Sequence, residues 1–179
     1  GPAAAAGAED YCLRLLELGD YSKGYVALLA QLTDVGDLTE QGFAEVFHCR
    51  GQFARKYTTL VVEHRPSGKV VATATLLAER KFAHAGASAG HVEDVVVDAA
   101  HRGRGLAKEL VDALGEQARG SDCYKVVLDC KTSNVPLYEK CGYRTSEQQM
   151  RLDIDLGPPQ APGRAEGDEG APAAKRPRS

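Results

Sequence analysis

The sequence has no tryptophan, and aromatic residues make up only 6% of its 179 residues. Hydrophobic residues nevertheless reach 43%, so aliphatic side chains must supply most of the buried apolar surface. A chain of this length typically forms one domain. The composition therefore predicts a single globular domain with an aliphatic core.

Neither sign of charge dominates the chain. Its 22 basic and 25 acidic residues give a formal net charge of −3, which argues against nucleic-acid binding through bulk positive charge. This balance is still compatible with a local cationic pocket for a phosphorylated ligand. No apolar run approaches the length of a membrane span, and the sequence begins without a signal-peptide pattern. We therefore expect no nucleic-acid partner and no membrane span.

The five cysteines form no pattern that indicates a disulfide framework or a zinc site. Their number is odd, their spacing is irregular, and no C-x-x-C pair occurs. We expect no bound metal and a reducing, cytoplasmic environment.

Both ends of the chain have the composition of non-globular segments. Gly1-Pro2 resembles a protease-cleavage scar, and residues 1–10 are expected to be flexible. Residues 157–179 are rich in Pro, Gly, Ala and charge without apolar periodicity, which predicts a disordered tail. The basic run 175–178 is either a nuclear-import signal or a solvated terminus. The predicted domain is therefore residues 11–156.

Hydrophobic periodicity predicts alternating strands and helices within this domain. Asp20 or Ser22 is expected to cap the first helix and Thr39 the second. Two further helices are expected, one from Gly105 and one over Val135–Cys141. The predicted strands are Tyr11–Leu18, Thr58–His64, Val70–Leu77, His91–Val97, Tyr124–Cys130 and Met150–Leu156. This order implies an α/β fold with a mixed sheet and helices on both faces.

A glycine-rich turn between a strand and a helix is the most informative motif. The strand Val95–Val97 leads to Arg102-Gly103-Arg104-Gly105-Leu106-Ala107. Glycine lets the backbone approach a ligand closely, and the first N–H groups of a helix lack intrahelical partners. The segment therefore predicts a pyrophosphate site, although a glycine-rich helix entry can also be only a turn. It fits neither the P-loop nor the dinucleotide-binding pattern.

The motif matches the R/Q-x-x-G-x-G/A signature of the GNAT superfamily, and five other blocks resemble its glucosamine-6-phosphate N-acetyltransferases. The blocks are Leu32–Gly36, Glu79–His84, Gly90–Val95, Cys123–Cys130 and Asn134–Tyr143. The resemblance spans residues 11–156 and implies the GNAT fold, with a splay between the fourth and fifth strands. It also implies direct acetyl transfer from acetyl-CoA, the co-substrate, to the 2-amine of glucosamine 6-phosphate. Such a product leads towards UDP-N-acetylglucosamine.

The resemblance implies catalytic roles for Tyr138, Glu93 and Asp129. Tyr138 is the expected acid for the departing thiolate; the alternative is a packed helix residue whose hydroxyl bonds a carbonyl. Glu93 is either a base for the amine or an ordinary carboxylate paired with a cation, and a water or backbone carbonyl can also relay the proton. Because Glu93 and Asp94 are neighbours on a strand, their side chains are expected to face opposite sides.

The resemblance also implies two sets of binding residues. One set contacts acetyl-CoA and the other contacts the sugar phosphate. Lys140 belongs to the acetyl-CoA set but is equally consistent with a solvated charge on a helix. His91 belongs to neither set and is interpreted as structural. The expected acetyl-CoA contacts are Val95, Val96, Val97, Arg102, Gly103, Arg104, Gly105, Leu106, Ala107, Lys108, Asn134, Tyr138 and Lys140. The expected sugar-phosphate contacts are Thr33, Lys81, His84, Glu93, Asp94, Asp129 and Arg151.

The last predicted strand departs from the family pattern. That family ends in Met-x-x-Arg, whose arginine reaches the substrate phosphate from the partner subunit of a homodimer. Here the run is Met150-Arg151-Leu152-Asp153. Residues two apart on a strand share a face, so we hypothesise that Arg151 supplies the missing charge.

Three other interpretations remain open. Cys130 beside Asp129 raises the possibility of a cysteine nucleophile, but no histidine partner is apparent in the sequence. The enzyme alternative is a GNAT acetyltransferase that acts on another small amine or a protein lysine. The non-enzyme alternative is an acetyl-CoA-binding module without activity.

Overall fold

A five-stranded sheet forms the centre of the computed structural model, which describes residues 8–154. The strands lie side by side in chain order. The chain divides into two compact units, residues 1–147 and 148–179. The elements of the first unit are β1 (Tyr11–Leu15), α1 (Tyr25–Leu29), α2 (Glu40–Gly51), β2 (Tyr57–His64), β3 (Lys69–Arg80), β4 (Ser88–Val97), α3 (Leu106–Gly120), β5 (Cys123–Val127) and α4 (Val135–Glu139).

The sheet is mixed, as the sequence predicts. The pairs β1–β2, β2–β3 and β3–β4 are antiparallel, and β4–β5 is parallel. Parallel neighbours need a crossover connection, and α3 provides it between β4 and β5. The pairing of β4 with β5 begins at Ser88 with Cys123 and ends at His91 with Val127. Beyond His91, β4 continues without β5, which confirms the predicted splay.

Helices cover both faces of the sheet, and the strands are correspondingly apolar at consecutive positions whose side chains point to opposite faces. Leu60 and Val62 of β2 pack into a core with α3, whereas Val61 packs into a second core with α1 and α2. Leu110 and Leu114 of α3 are completely buried in the first core. The predicted α/β architecture with helices on both faces is confirmed.

One of the two expected helix caps is present. The hydroxyl of Thr39 accepts a hydrogen bond from the Gly42 N–H at 3.1 Å and caps α2. The expected cap of the first helix is wrong: α1 follows Gly24, which has φ +88° and no side-chain cap. Asp20 is fully buried, and its carboxylate accepts hydrogen bonds from the Arg14 guanidinium.

Several predicted elements end earlier than expected. β1 ends at Leu15, β5 at Val127 and α4 at Glu139. The predicted strand Met150–Leu156 is not formed over residues 150–154; Leu156 lies outside the described residues. An alternating apolar pattern indicates a strand, but the strand also needs a neighbour for its N–H and C=O groups.

The described part of the second unit is a short irregular segment. Met150, Leu152 and Ile154 have exposed side chains, and the Arg151 guanidinium donates to Asp153. The predicted tail 157–179, its basic run 175–178 and residues 1–7 lie outside the described residues. No helix within residues 8–154 is long and apolar enough to cross a membrane.

Candidate active site

β4 contains a β-bulge at the centre of the candidate site. Thr75 of β3 pairs with Glu93 and Thr73 pairs with Val96, so three steps along β4 match two along β3. Asp94 lies in the bulge and adopts a φ angle of +55°. A bulge of this kind bends its strand and redirects a side chain, and Asp is among the residues that tolerate left-handed dihedral angles.

The bulge makes the expectation for Glu93 and Asp94 wrong, because it interrupts the alternation of side chains. Glu93 lies opposite Thr75, whose hydroxyl contacts the Thr59 hydroxyl at 3.0 Å. Asp94 and Thr59 both line a cavity of about 320 Å³ between the sheet and the first two helices. Both carboxylates therefore occupy the face of the sheet covered by α1 and α2.

Two neighbouring carboxylates influence Glu93 near the splay. Glu93 is exposed by surface area, but partial desolvation of its carboxylate is still the main cause that raises its pKa, and the negative charges of Asp94 and Asp129 raise it further. Asp129 follows β5, two residues after the last strand residue Val127. In residues 8–154, Glu93 forms no salt bridge with a cationic side chain. A carboxylate without a cationic partner and with a raised pKa suits proton acceptance.

Tyr138 of α4 is a buried tyrosine with a free hydroxyl. The residue is 8% exposed, and its ring packs edge-on against Tyr143 at 6.2 Å. Burial raises the pKa of Tyr138, with smaller effects from Cys130 and Cys141. No described residue forms a hydrogen bond with the Tyr138 hydroxyl, so the alternative of a hydroxyl bonded to a carbonyl does not apply.

The glycine-rich turn leads into a helix whose first backbone N–H groups have no hydrogen-bond partner among the described residues. Gly103 and Gly105 have φ +75° and +82°, values that strain other residues. The Glu109 N–H bonds Gly105 O at 3.0 Å, whereas the N–H groups of residues 106–108 have no partner among the described residues. The Arg102 Nε atom donates to Val97 O at 3.1 Å, which joins the turn to the end of β4. The geometry fits a pyrophosphate.

Apart from the three carboxylates, the expected sugar-phosphate residues of the first unit lie in two segments. Lys81 and His84 belong to the connection between β3 and β4, and Thr33 is exposed after α1. Lys81 forms an ion pair with Glu79, which also contacts His91 Nε2 at 3.2 Å. The His84 ring stacks on Tyr124 at 3.8 Å. In residues 8–154 no direct contact joins Thr33 to Lys81 or His84.

The sequence matches the Acetyltransferase (GNAT) family over residues 27–143. The chain belongs to the GNAT acetyltransferase family. Glucosamine 6-phosphate N-acetyltransferase of Arabidopsis thaliana is 40% identical over 148 residues, which cover 83% of this chain and 99% of the relative. Glucosamine 6-phosphate N-acetyltransferase 1 of Oryza sativa is 44% identical over 84% of this chain and 92% of the relative. The crystal structure of the Arabidopsis enzyme superposes with a TM-score of 0.80 and 39% identity, covering 81% and 99% of the two chains.

Of four further GNAT residues considered for the site, Asn134, Lys140 and Cys130 are exposed and Lys108 is half-buried. Asn134 precedes α4 and Lys140 follows it, and neither side chain forms a hydrogen bond or salt bridge with another described residue. Lys108 is engaged by Asp112 one helical turn away. Cys130 is exposed, and no histidine in residues 8–154 contacts its thiol. The structure therefore provides no activating base for a cysteine nucleophile.

The sequence reasoning missed the contacts that hold the GNAT turn in place. Gln31 bonds Asp98 and Ala99, at the start of the loop that leads to the glycines. The Tyr11 hydroxyl contacts His101 Nδ1 at 3.0 Å in the same loop. These partners lie 67 to 90 residues apart in sequence, and only the folded sheet brings them together.

Proposed function

We propose that this chain transfers the acetyl group of acetyl-CoA to the 2-amine of glucosamine 6-phosphate. The products are N-acetylglucosamine 6-phosphate and CoA, and the former can supply UDP-N-acetylglucosamine synthesis. Relatives of this name match at 40% and 44% identity over more than nine-tenths of their own length. The structural observation that supports this proposal most directly is that Asp94 and Asp129 lie close enough to Glu93 to raise its pKa, while the buried Tyr138 lies close to Cys130, the neighbour of Asp129.

Glu93 is the proposed proton acceptor. An attacking amine must lose a proton as its new bond to carbon forms, and a positioned carboxylate can take it directly or through one water. Partial desolvation and two neighbouring acids raise the pKa of Glu93, which makes it a better base than a fully solvated carboxylate. Asp94 and Asp129 help to hold the amine in place.

Tyr138 is the proposed proton donor to the departing thiolate. Its hydroxyl is available because no described residue forms a hydrogen bond with it, and its ring packs against Tyr143. Tyr138 lies close enough to Cys130 for its charge to affect the tyrosine pKa, and Cys130 directly follows Asp129. The donor and the acceptor groups therefore flank the same segment after β5.

The turn 102–108 is the proposed site for the pyrophosphate of acetyl-CoA, which supplies the activated acetyl group. Unpartnered N–H groups at the start of α3 donate to phosphate oxygens, and the helix dipole favours the negative charge. The edge of β4 beyond His91 has no β5 partner and is free to bind the pantetheine amides and the carbonyl oxygen. Asn134 and Lys140 are proposed to contact the same co-substrate.

The phosphate of the sugar is proposed to bind cations from two protomers. Lys81 and His84 are assigned to one side, together with Thr33. Arg151 of a second copy is the proposed replacement for the family arginine. Met150, Leu152 and Ile154 are 94%, 83% and 67% exposed, as expected of apolar side chains that a second copy covers in a homodimer. Light scattering tests the dimer, and replacing Leu152 by aspartate should weaken it.

Thiol release from acetyl-CoA tests the proposed reaction. Glucosamine 6-phosphate should give rapid release, and unphosphorylated glucosamine should give much less, because the phosphate contacts would be lost. A panel of polyamines, arylalkylamines and lysine peptides, assayed in parallel, covers the other GNAT acceptors. Faster turnover of one of these would move the assignment to that amine, and bound acetyl-CoA without turnover on any acceptor would indicate a binding module.

A further inference from the structure

The side chain of Gln31 joins two segments that the proposed reaction uses. Its Nε2 donates to Asp98 Oδ2 at 2.7 Å, and its Oε1 accepts from the Ala99 N–H at 2.9 Å. The amide orientation is fixed chemically, since a carboxylate only accepts and a backbone N–H only donates. The hydrogen bond from Gln31 is the main cause that lowers the pKa of Asp98.

On one side of this contact, Asp98 begins the loop that leads to the glycine-rich turn. Its N–H donates to Val71 O, its Oδ1 accepts from the Ala100 N–H at 2.9 Å, and its carbonyl accepts from the His101 N–H. Asp98 thus sets the course of the chain as it leaves β4. Gly103 follows five residues later.

On the other side, Gln31 leads directly into the segment that contains Thr33. The N–H of Thr33 donates to Leu29 O at 3.1 Å, which continues the last turn of α1. After that turn the chain is exposed at residues 32–34. Within the described structure, the two Gln31 hydrogen bonds are the only ones that join residues 30–37 to residues 98–105.

We propose that Gln31 is a positioning residue that couples acetyl-CoA binding to sugar-phosphate binding; this inference rests on the proposed function. A ligand on the turn restrains the loop from Asp98 onward. The restrained loop holds Gln31, and Gln31 holds the segment with Thr33 against the acceptor site. Each ligand therefore lowers the conformational cost of binding the other, and the coupling must be reciprocal.

Calorimetric titration of glucosamine 6-phosphate, with and without CoA, measures this coupling. CoA carries a free thiol and cannot acetylate the sugar, so binding is observed without reaction. We expect CoA to tighten sugar binding about tenfold in the wild-type protein, within the usual range of coupling between sites. Gln31→Ala and the similarly sized Gln31→Met remove both hydrogen bonds, and should reduce the factor to about one or two.

Gln41 provides a matched control. Its Nε2 also donates to a carboxylate, Glu45 Oε1 at 2.9 Å, but both partners belong to α2. Gln41→Ala should keep the wild-type coupling factor. Melting temperatures equal to that of the wild type identify the variants that remain folded, so that a loss of coupling is not a loss of structure.

The inference is overturned if either folded Gln31 variant keeps the wild-type factor, or if CoA leaves sugar affinity unchanged in the wild type. Wild-type turnover of glucosamine 6-phosphate, measured first, tests the proposed function separately. Turnover without coupling refutes the role of Gln31 alone, whereas absent turnover refutes the assigned substrate.

Discussion

Removal of the Asp20 carboxylate should destabilise the domain far more than removal of a surface charge. Asp20 is completely buried and accepts two hydrogen bonds from Arg14, at 2.6 and 2.8 Å. It also accepts from the Glu17 N–H at 2.8 Å. Asp20→Ala leaves Arg14, whose side chain is 19% exposed, with a charge that has lost its bidentate partner.

The size of the effect follows from the partners that remain. Breaking a buried ion pair typically costs about 3–5 kcal/mol. Arg14 keeps a contact with Glu63 at 2.5 Å, and Lys23 shares that carboxylate at 2.8 Å. We therefore expect the lower end, about 3 kcal/mol, and a melting temperature lower by about 6–12 °C.

Urea unfolding of the two variants Asp20→Ala and Glu116→Ala is the assay. Glu116 pairs with Arg119 on α3, where both side chains are 73% exposed, so its loss should cost below about 1 kcal/mol. Equal midpoints and slopes for the two variants would refute the reasoning that burial makes the Asp20 pair important.

Three further predictions concern the proposed reaction. Tyr138→Phe removes only the proton donor, so kcat should fall by about 10²–10⁴ while the Kd of acetyl-CoA is unchanged; an unaltered kcat would exclude this role. The base must be ionised to accept a proton, so kcat should rise with pH through the raised pKa of Glu93, and Glu93→Gln should abolish this rise; a limb that survives the substitution would assign the base elsewhere. Arg151→Ala should raise the KM for glucosamine 6-phosphate strongly and leave that for acetyl-CoA unaffected, as steady-state kinetics can show; an unchanged sugar KM would mean that another cation binds the phosphate.

The strands, the main helices and the glycine-rich turn were predictable because local chemistry determines them. The two-residue period of side-chain direction places Leu60 and Val62 of β2 in one core and Val61 in the other. Gly103 and Gly105 have positive φ angles that follow from their position between a strand and a helix. The splay beyond His91 was inferred from the family resemblance, and no residue pattern in β4 or β5 specifies it.

The failures arose where distant parts of the chain determine the outcome. Aspartate is a common helix cap, but the Asp20 carboxylate instead accepts hydrogen bonds from Arg14 on β1 and is buried. The bulge at Asp94 lies in a β-branched segment that has the pattern of a regular strand, so the sequence alone does not predict that Asp94 lies on the same face as Glu93. The segment Met150–Ile154 has the alternation of a strand, yet alternation cannot provide the neighbour that a strand requires.

The bulge in β4 separates packing from chemistry within one strand. Val92, Val95 and Val97 all contact the core with α3, and Val96 contacts the opposite core. If Asp94 were omitted, these valines would form an ordinary two-residue alternation on the same faces. Asp94 therefore behaves as a one-residue insertion. It adds a carboxylate to the candidate site, and each valine still contacts the same core. A substitution of Asp94 should therefore change the candidate site while each neighbouring valine keeps its own core.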